Sequence, residues 1–214
     1  MKLEAVFVGK PTVVENKGKE VTTGIFKQEV SGPIKVGTLN LEGDQQADLT
    51  VHGGVNKAVY VYDQTHYNFW KDARPDLSFV PGQFGENLSV TGVPAEEELT
   101  IGDQFRLGSA LFQVTQPRLP CFKLGIKMGD PGFLKDFMKA MRPGFYVKVL
   151  EEGTITPGDE GERVKNNPGG LTVNDVVRLY TSHRTDKELL TKAVGTTDLP
   201  EDWIEYFQEM LEKL

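Results

Sequence analysis

One cysteine, Cys121, is present in the chain, and it sits in Thr115-Gln116-Pro117-Arg118-Leu119-Pro120-Cys121-Phe122-Lys123. Pro117 and Pro120 hold φ at about −65° and bias the residue before each toward extended geometry. The expected result is a stiff loop presenting one thiol between two cations, Arg118 and Lys123. Fixed positive charge favours the thiolate, which is both a nucleophile and a soft-metal ligand. A second reading stands beside it, because lone cysteines are also small buried hydrophobes.

Two further stretches carry chemistry-capable residues. In His52-Gly53-Gly54-Val55-Asn56-Lys57 the paired glycines can take positive φ and let backbone N–H groups converge on an anion. Lys57 would add charge and His52 a ring donor; the alternative is a plain hairpin with a surface lysine. In Phe84-Gly85-Glu86-Asn87-Leu88 the acid and amide either orient a ligand or close a turn. His52, His66 and His183 lack zinc-site spacing, and His66 reads as a packing residue in an aromatic helix. No Walker loop, calcium loop or Gly-x-Ser-x-Gly elbow is present.

The elements that would hold these residues are mostly short strands. Extended runs are expected at 3–8, 21–30, 35–39, 58–62, 88–90, 101–107, 111–114 and 145–149, separated by glycine, proline and aspartate. Their β-branched and aromatic content favours a barrel or sandwich. Helices are expected at 63–73 and 130–141. After Asn166-Asn167-Pro168-Gly169-Gly170 the periodicity turns helical. Thr172-x-x-Asp175, Thr185-x-x-Glu188 and Asp198-x-x-Glu201 are placed to start three helices. The expected organisation is a β-domain over 1–166 and a three-helix module over 171–214. Removing the module should leave a soluble but less stable β-domain.

Bulk properties narrow the partners. The 214 residues suffice for one large domain or one domain with a small appendage. A formal charge of −7 argues against general nucleic-acid or membrane-surface binding, while leaving room for a local basic pocket. One cysteine suits a reducing compartment, no apolar run reaches the ~20 residues of a span, and the acidic N-terminus reads as a strand. A cytoplasmic protein is expected.

Taken in order, Leu-Glu-Gly-Asp, His-Gly-Gly-x-x-Lys-Ala, Phe-Gly-Glu-Asn-Leu, Gly-Asp and Gln-Pro-Arg-x-Pro-Cys-x-Lys resemble the MOSC domain, the C-terminal domain type of molybdenum-cofactor sulfurases. The helical tail extends the resemblance to YiiM-type stand-alone MOSC proteins, linked to 6-N-hydroxylaminopurine resistance. The resemblance implies a β-barrel with inserted helices followed by the three-helix module. It also implies a pterin-based molybdenum cofactor with Cys121 as a sulfur ligand to the metal. The implied activity is reductive removal of the N-hydroxyl oxygen from hydroxylated bases and related small molecules, fed by a separate redox partner protein. Cations would be needed for the cofactor phosphate, and Arg118, Lys123, Lys57 and Lys27 are the candidates. Glu86 and Asn87 would orient pterin or substrate, and His52 would carry a proton or bond the cofactor. Gly144-Phe145-Tyr146 either lines the same pocket or is a buried strand with Phe145 in the core. Two other functions stay open: a sulfur carrier using a Cys121 persulfide, and a non-catalytic cofactor-binding module.

Overall fold

The computed structural model describes residues 1–47 and 53–214. The chain opens with β1 (Lys2–Val8), β2 (Thr12–Asn16), β3 (Lys19–Thr23), β4 (Gln28–Val30) and β5 (Ile34–Val36). After a 3₁₀ turn at Val55–Lys57 come β6 (Val59–Asp63), α1 (Thr65–Ala73), β7 (Leu88–Thr91), β8 (Gln104–Leu107) and β9 (Ala110–Pro117). Then follow α2 (Phe122–Met128), α3 (Phe133–Lys139), β10 (Phe145–Glu151), β11 (Gly153–Ile155) and β12 (Gly161–Lys165). The chain ends with α4 (Val173–Thr181), α5 (Lys187–Val194) and α6 (Glu201–Glu212).

The main sheet has eight strands in the order β12-β8-β9-β10-β6-β7-β1-β4. It is mixed, because β6 and β7 run parallel while the other neighbours are antiparallel. The parallel pair needs a long crossover, and residues 64–87, including α1, supply it. A closed barrel is not what the ladder forms, since its terminal strands are β12 and β4. A bridge joins the start of β12 to the start of β1, the strand next to β4: Leu3 N–H donates to Asp159 O at 2.9 Å, and Gly161 N–H to Met1 O at 2.8 Å. The hairpin β2–β3 stands apart, its two-residue turn using positive φ at Lys17 (52°) and Gly18 (75°) as a primed turn demands.

Strand β6 shows how sequence alternation builds the interior. All five residues of Val-Tyr-Val-Tyr-Asp are buried. Val59 and Val61 join an aliphatic core with Leu88, Val90, Phe145 and Val147. Tyr60 and Tyr62 point the other way, into an aromatic cluster with Tyr67, Trp70, Phe84 and Phe137. Period-two side-chain direction thus separates two cores across one strand.

The tail is continuous with the aliphatic core. Leu171, Val173, Val176, Leu190, Trp203 and Phe207 belong to the same cluster as Ile101, just ahead of β8, and Val114 of β9. The α4 start follows the expected capping box: Asp175 N–H donates to Thr172 Oγ1 at 3.0 Å, and Thr172 N–H to Asp175 Oδ2 at 3.2 Å. The other two helices begin elsewhere than expected. Asp186, not Thr185, caps α5 by accepting Leu189 N–H at 3.0 Å. Pro200 opens α6, and Asp198 instead accepts from Gln113 Nε2 at 2.7 Å.

Two strand expectations and one loop expectation shift for local reasons. The run 21–30 breaks into β3 and β4 around Gly24, where a Cβ would lie 2.8 Å from Gln45 O. Residues 101–103 form a turn ahead of β8, held by buried Asp103, which accepts Thr100 N–H at 2.9 Å and Asn167 N–H at 3.0 Å. The stiff loop expected around Cys121 is cut short, because α2 begins at the next residue.

Candidate functional site

Six of the sequence-nominated residues converge on an open pocket of about 670 Å3, counted out to its solvent mouth. Lys27, Lys57, Asn87, Arg118, Cys121 and Lys123 all line it. They come from five places: the β3–β4 connection, the 3₁₀ turn, the segment before β7, the end of β9 and the start of α2. Each is a loop or an element end, where a rigid scaffold commonly displays functional groups.

Arg118 is the centre of its electrostatics. It is 5% exposed. Its guanidinium lies 5.4 Å from the Tyr60 ring centroid and 5.2 Å from that of Phe137. Nη2 donates to Phe84 O at 3.4 Å, and buried Nη1 has no hydrogen-bond partner among the described residues. A guanidinium stacked on aromatic faces is weakly hydrated yet still charged, so it is suited to an incoming anion.

Lys27 is the second buried cation, its side chain 8% exposed and paired closely with Asp44. Burial pulls its pKa down, and the Asp44 carboxylate works against that shift. Asp44 also accepts from Gly9 N–H and Asn87 Nδ2, both at 2.9 Å. Asn87 in turn accepts Tyr60 N–H at 3.1 Å and donates to Phe7 O at 3.2 Å. Its amide therefore ties β1, β6 and the Asp44 loop together beneath the pocket, which makes it a positioning residue.

Of the two sequence readings of Glu86, its contacts match the turn-closing one and not the ligand-orienting one that the resemblance implies. Glu86 is fully buried and does not line the pocket. Its carboxylate accepts Gly82 N–H at 2.6 Å, Phe84 N–H at 3.1 Å and the Tyr67 hydroxyl. Burial raises its pKa, opposed by the Tyr67 bond and then by the backbone N–H donors. This is the turn-closing alternative, carried out by the side chain. Gly53 and Gly54 are not in the pocket wall either; Gly54, at φ 89°, starts the turn that ends on Lys57, whose N–H donates to Gly54 O at 3.0 Å. His52 lies outside the described residues.

Cys121 occupies the N-cap position of α2, with φ −111° and ψ 170°. Helix α2 is anchored by Lys127, which the sequence reading missed. Its Nζ donates to Ile25 O at 2.8 Å and Gly82 O at 2.5 Å, joining the cysteine-bearing helix to two pocket-wall segments. Burial lowers the Lys127 pKa to about 8; Glu86 opposes this, while Lys27 and Arg118 add to it. Tyr146 does line the pocket while Phe145 is in the core, so alternation satisfies both readings of that strand. Burial raises the pKa values of both Tyr60 and Tyr146, opposed in each by Arg118.

Behind the wall sits a buried acid–imidazole contact. Glu96 Oε1 accepts Gly144 N–H at 3.2 Å, and its other oxygen lies 3.4 Å from His66 Nε2. Burial pushes Glu96 up to about 7 and His66 down to about 4. At neutral pH the imidazole is uncharged, so the contact is not an ion pair. Gly144 O accepts Arg118 N–H at 3.4 Å, so Glu96 stands one backbone unit from the pocket arginine.

This architecture and these motifs have close counterparts. The "MOSC domain" family profile matches residues 48–162, just over half of the chain. The chain belongs to the MOSC domain family. "Uncharacterized protein YflK" of Bacillus subtilis is 37% identical over 97% of this MOSC chain and 93% of its own length. A Gibberella moniliformis protein named "Reductase" is 34% identical over 86% of the chain, which spans 32% of that longer protein. The crystal structure of YiiM from Geobacillus stearothermophilus superposes with a TM-score of 0.81 at 30% identity, covering 98% of both chains. No helix among the described residues of the MOSC chain is long and apolar enough to cross a membrane.

Proposed function

We propose that the pocket holds a pterin-type molybdenum cofactor and that the protein reduces N-hydroxylated bases and related small molecules. The observation that carries this reading is Arg118, a buried guanidinium whose Nη1 has no partner among the described residues, in the wall of a pocket that also bears Lys27, Lys57 and Lys123. Such a concentration of cations in a chain of net charge −7 calls for an anionic ligand. A phosphate-bearing cofactor supplies that charge, and the thiol on the same wall matches molybdenum's affinity for soft ligands. Among the described residues no three His, Cys, Asp or Glu side chains converge, so a metal here would have to bring most of its ligands with it.

Arg118 would take the phosphate through paired N–H donors, with Lys57 and Lys123 adding point charge. Lys27, neutralised by Asp44, holds the wall and adds little net charge. Tyr60 and Tyr146 shield one side from water, and burial keeps their hydroxyls protonated. Cys121 supplies the protein's ligand to the metal, and His52 enters as proton carrier by its place in the His-Gly-Gly motif. Bound there, the cofactor would supply oxygen-atom acceptance from nitrogen, driven by two electrons. Overall an N-hydroxyl group, two electrons and two protons give the amine and water. A separate redox protein would deliver the electrons; the name of the longer Gibberella relative is consistent with this role. A cytoplasmic setting suits the exposed chemistry of a thiol ligand.

Metal analysis after expression in a cofactor-making host tests the assignment. The wild-type protein should carry molybdenum stoichiometric with the chain, and Cys121→Ser should carry far less. Equal metal in the two would remove Cys121 as the ligand.

A further inference from the structure

Among the tail residues, Trp203 makes a contact unlike ordinary core packing. Its indole N–H donates to Gln116 Oε1 at 2.7 Å, with Gln116 2% exposed. The other end of the Gln116 amide donates to Asn56 O at 3.3 Å. The Thr115 hydroxyl also lies 2.7 Å from that carbonyl oxygen, and 3.1 Å from Tyr146 O. Asn56 is the middle residue of the turn that ends on Lys57, and both Lys57 and Tyr146 line the pocket. A buried hydrogen-bonded path thus runs from α6 through β9 to the cationic turn. A second amide, Gln113, makes its own bond to Asp198 on the segment leading into α6.

We infer that the helical tail is a brace for the pocket, with Trp203 and Gln116 as positioning residues that fix the Lys57 turn for an anionic ligand. An amide side chain can satisfy an indole donor and a backbone acceptor together only in one orientation, so the indole sets which end faces Asn56. Losing the indole N–H leaves a buried Oε1 without a partner; the Gln116 amide loosens, its 3.3 Å bond to Asn56 O weakens, and that carbonyl is left to the Thr115 hydroxyl. The tail then contributes to ligand affinity without touching the ligand. The affinity part of this inference rests on the anion-binding reading of the pocket.

Trp203→Phe keeps a ring and removes the donor, and Thr172→Ala, which loosens the α4 cap, serves as a destabilising control in the same tail. The first readout needs no ligand: amide hydrogen exchange at Lys57, whose N–H is held by Gly54 O, should speed up in Trp203→Phe but not in Thr172→Ala. The second is binding of inorganic pyrophosphate by calorimetry at low ionic strength. Trp203→Phe should weaken it about fivefold, the scale of one unpaired buried acceptor. In a Lys57→Met background the same change should have little further effect, a coupling that independent sites do not show. Unchanged exchange at Lys57 overturns the brace. Faster exchange with unchanged affinity, or additive effects in the cycle, overturns the positioning role. If wild-type protein binds no pyrophosphate, the anion-binding reading fails and the positioning role with it, while the exchange result still decides the brace.

Discussion

Glu96→Gln should stabilise the protein in a strongly pH-dependent way. The native carboxyl is 4% exposed, and its pKa is pushed by burial from an ordinary 4.5 to about 7. Folding therefore favours the protonated form. At pH 4.5 and below, the acid is largely neutral and its burial carries little electrostatic penalty. As pH rises to 7, the unfolded chain releases its proton first, and stability falls until the folded carboxyl ionises as well. The distance from 4.5 to about 7 corresponds to about 3 kcal/mol at roughly 1.4 kcal/mol per pH unit. Glutamine keeps an oxygen for Gly144 N–H and gains an N–H for His66 Nε2, so the geometry survives while the titration is removed. The groups facing the pair are Asp63, Glu97 and Arg142, unchanged in the variant. His66 titrates in both proteins and cancels to first order. Urea unfolding from pH 4.5 to 8.5 should show the variant gaining up to about 3 kcal/mol over wild type, nearly all of it above pH 5. A pH-independent difference would refute the argument that an ionisable Glu96 is held here against its preference.

Arg118→Met should be at least as stable as wild type without ligand, because among the described residues the guanidinium's desolvation is offset mainly by one long carbonyl bond and two ring faces. It should nevertheless lose pyrophosphate binding; a large drop in melting temperature would mean that the arginine's main role is structural. Gly85→Ala should unfold or destabilise the protein by more than about 2 kcal/mol, because Gly85 has φ 78° and a Cβ would stand 2.6 Å from Ile25 Cγ1. Thermal melting checks it, and a near-native midpoint would show that the Ile25 wall yields.

Much of the site was legible in the sequence because its residues are polar types in glycine- and proline-marked loops. Cys121, Arg118, Lys123, Lys57 and Lys27 all reached one wall. The helix bearing the thiol was not legible. In Phe-Lys-Leu-Gly-Ile-Lys-Met the apolar residues alternate as in a strand, and Gly125 interrupts the middle. That glycine is required by packing, since a Cβ would lie 3.1 Å from Pro131 Cα, a contact only the folded chain reveals. Glu86 was left between two readings for a related reason. An acid after a glycine has the same sequence whether it faces a ligand or turns back onto Gly82 and Phe84. Asp44 and Lys127 lay hidden because their partners, Asn87 and Ile25 O, are distant in the chain. In the tail the apolar stripes were readable, but the caps moved by a residue or two, where asparagine-like and proline starts compete.

The alternation of β6 bears on which length changes this chain can accept. Val59 and Val61 fill the aliphatic core while Tyr60 and Tyr62 fill the aromatic one. The strand is clamped on both sides, antiparallel to β10 and parallel to β7. Slipping it by one residue would drive tyrosines among the valines and withdraw the Tyr60 face from Arg118. Insertions should therefore be accommodated at the tip of the β2–β3 hairpin, which lies outside the main ladder, and rejected at Ala58, the one residue between the Lys57 turn and β6. For anyone grafting a tag, a reporter or a new specificity loop onto this scaffold, the hairpin offers an entry point and the approach to β6 does not.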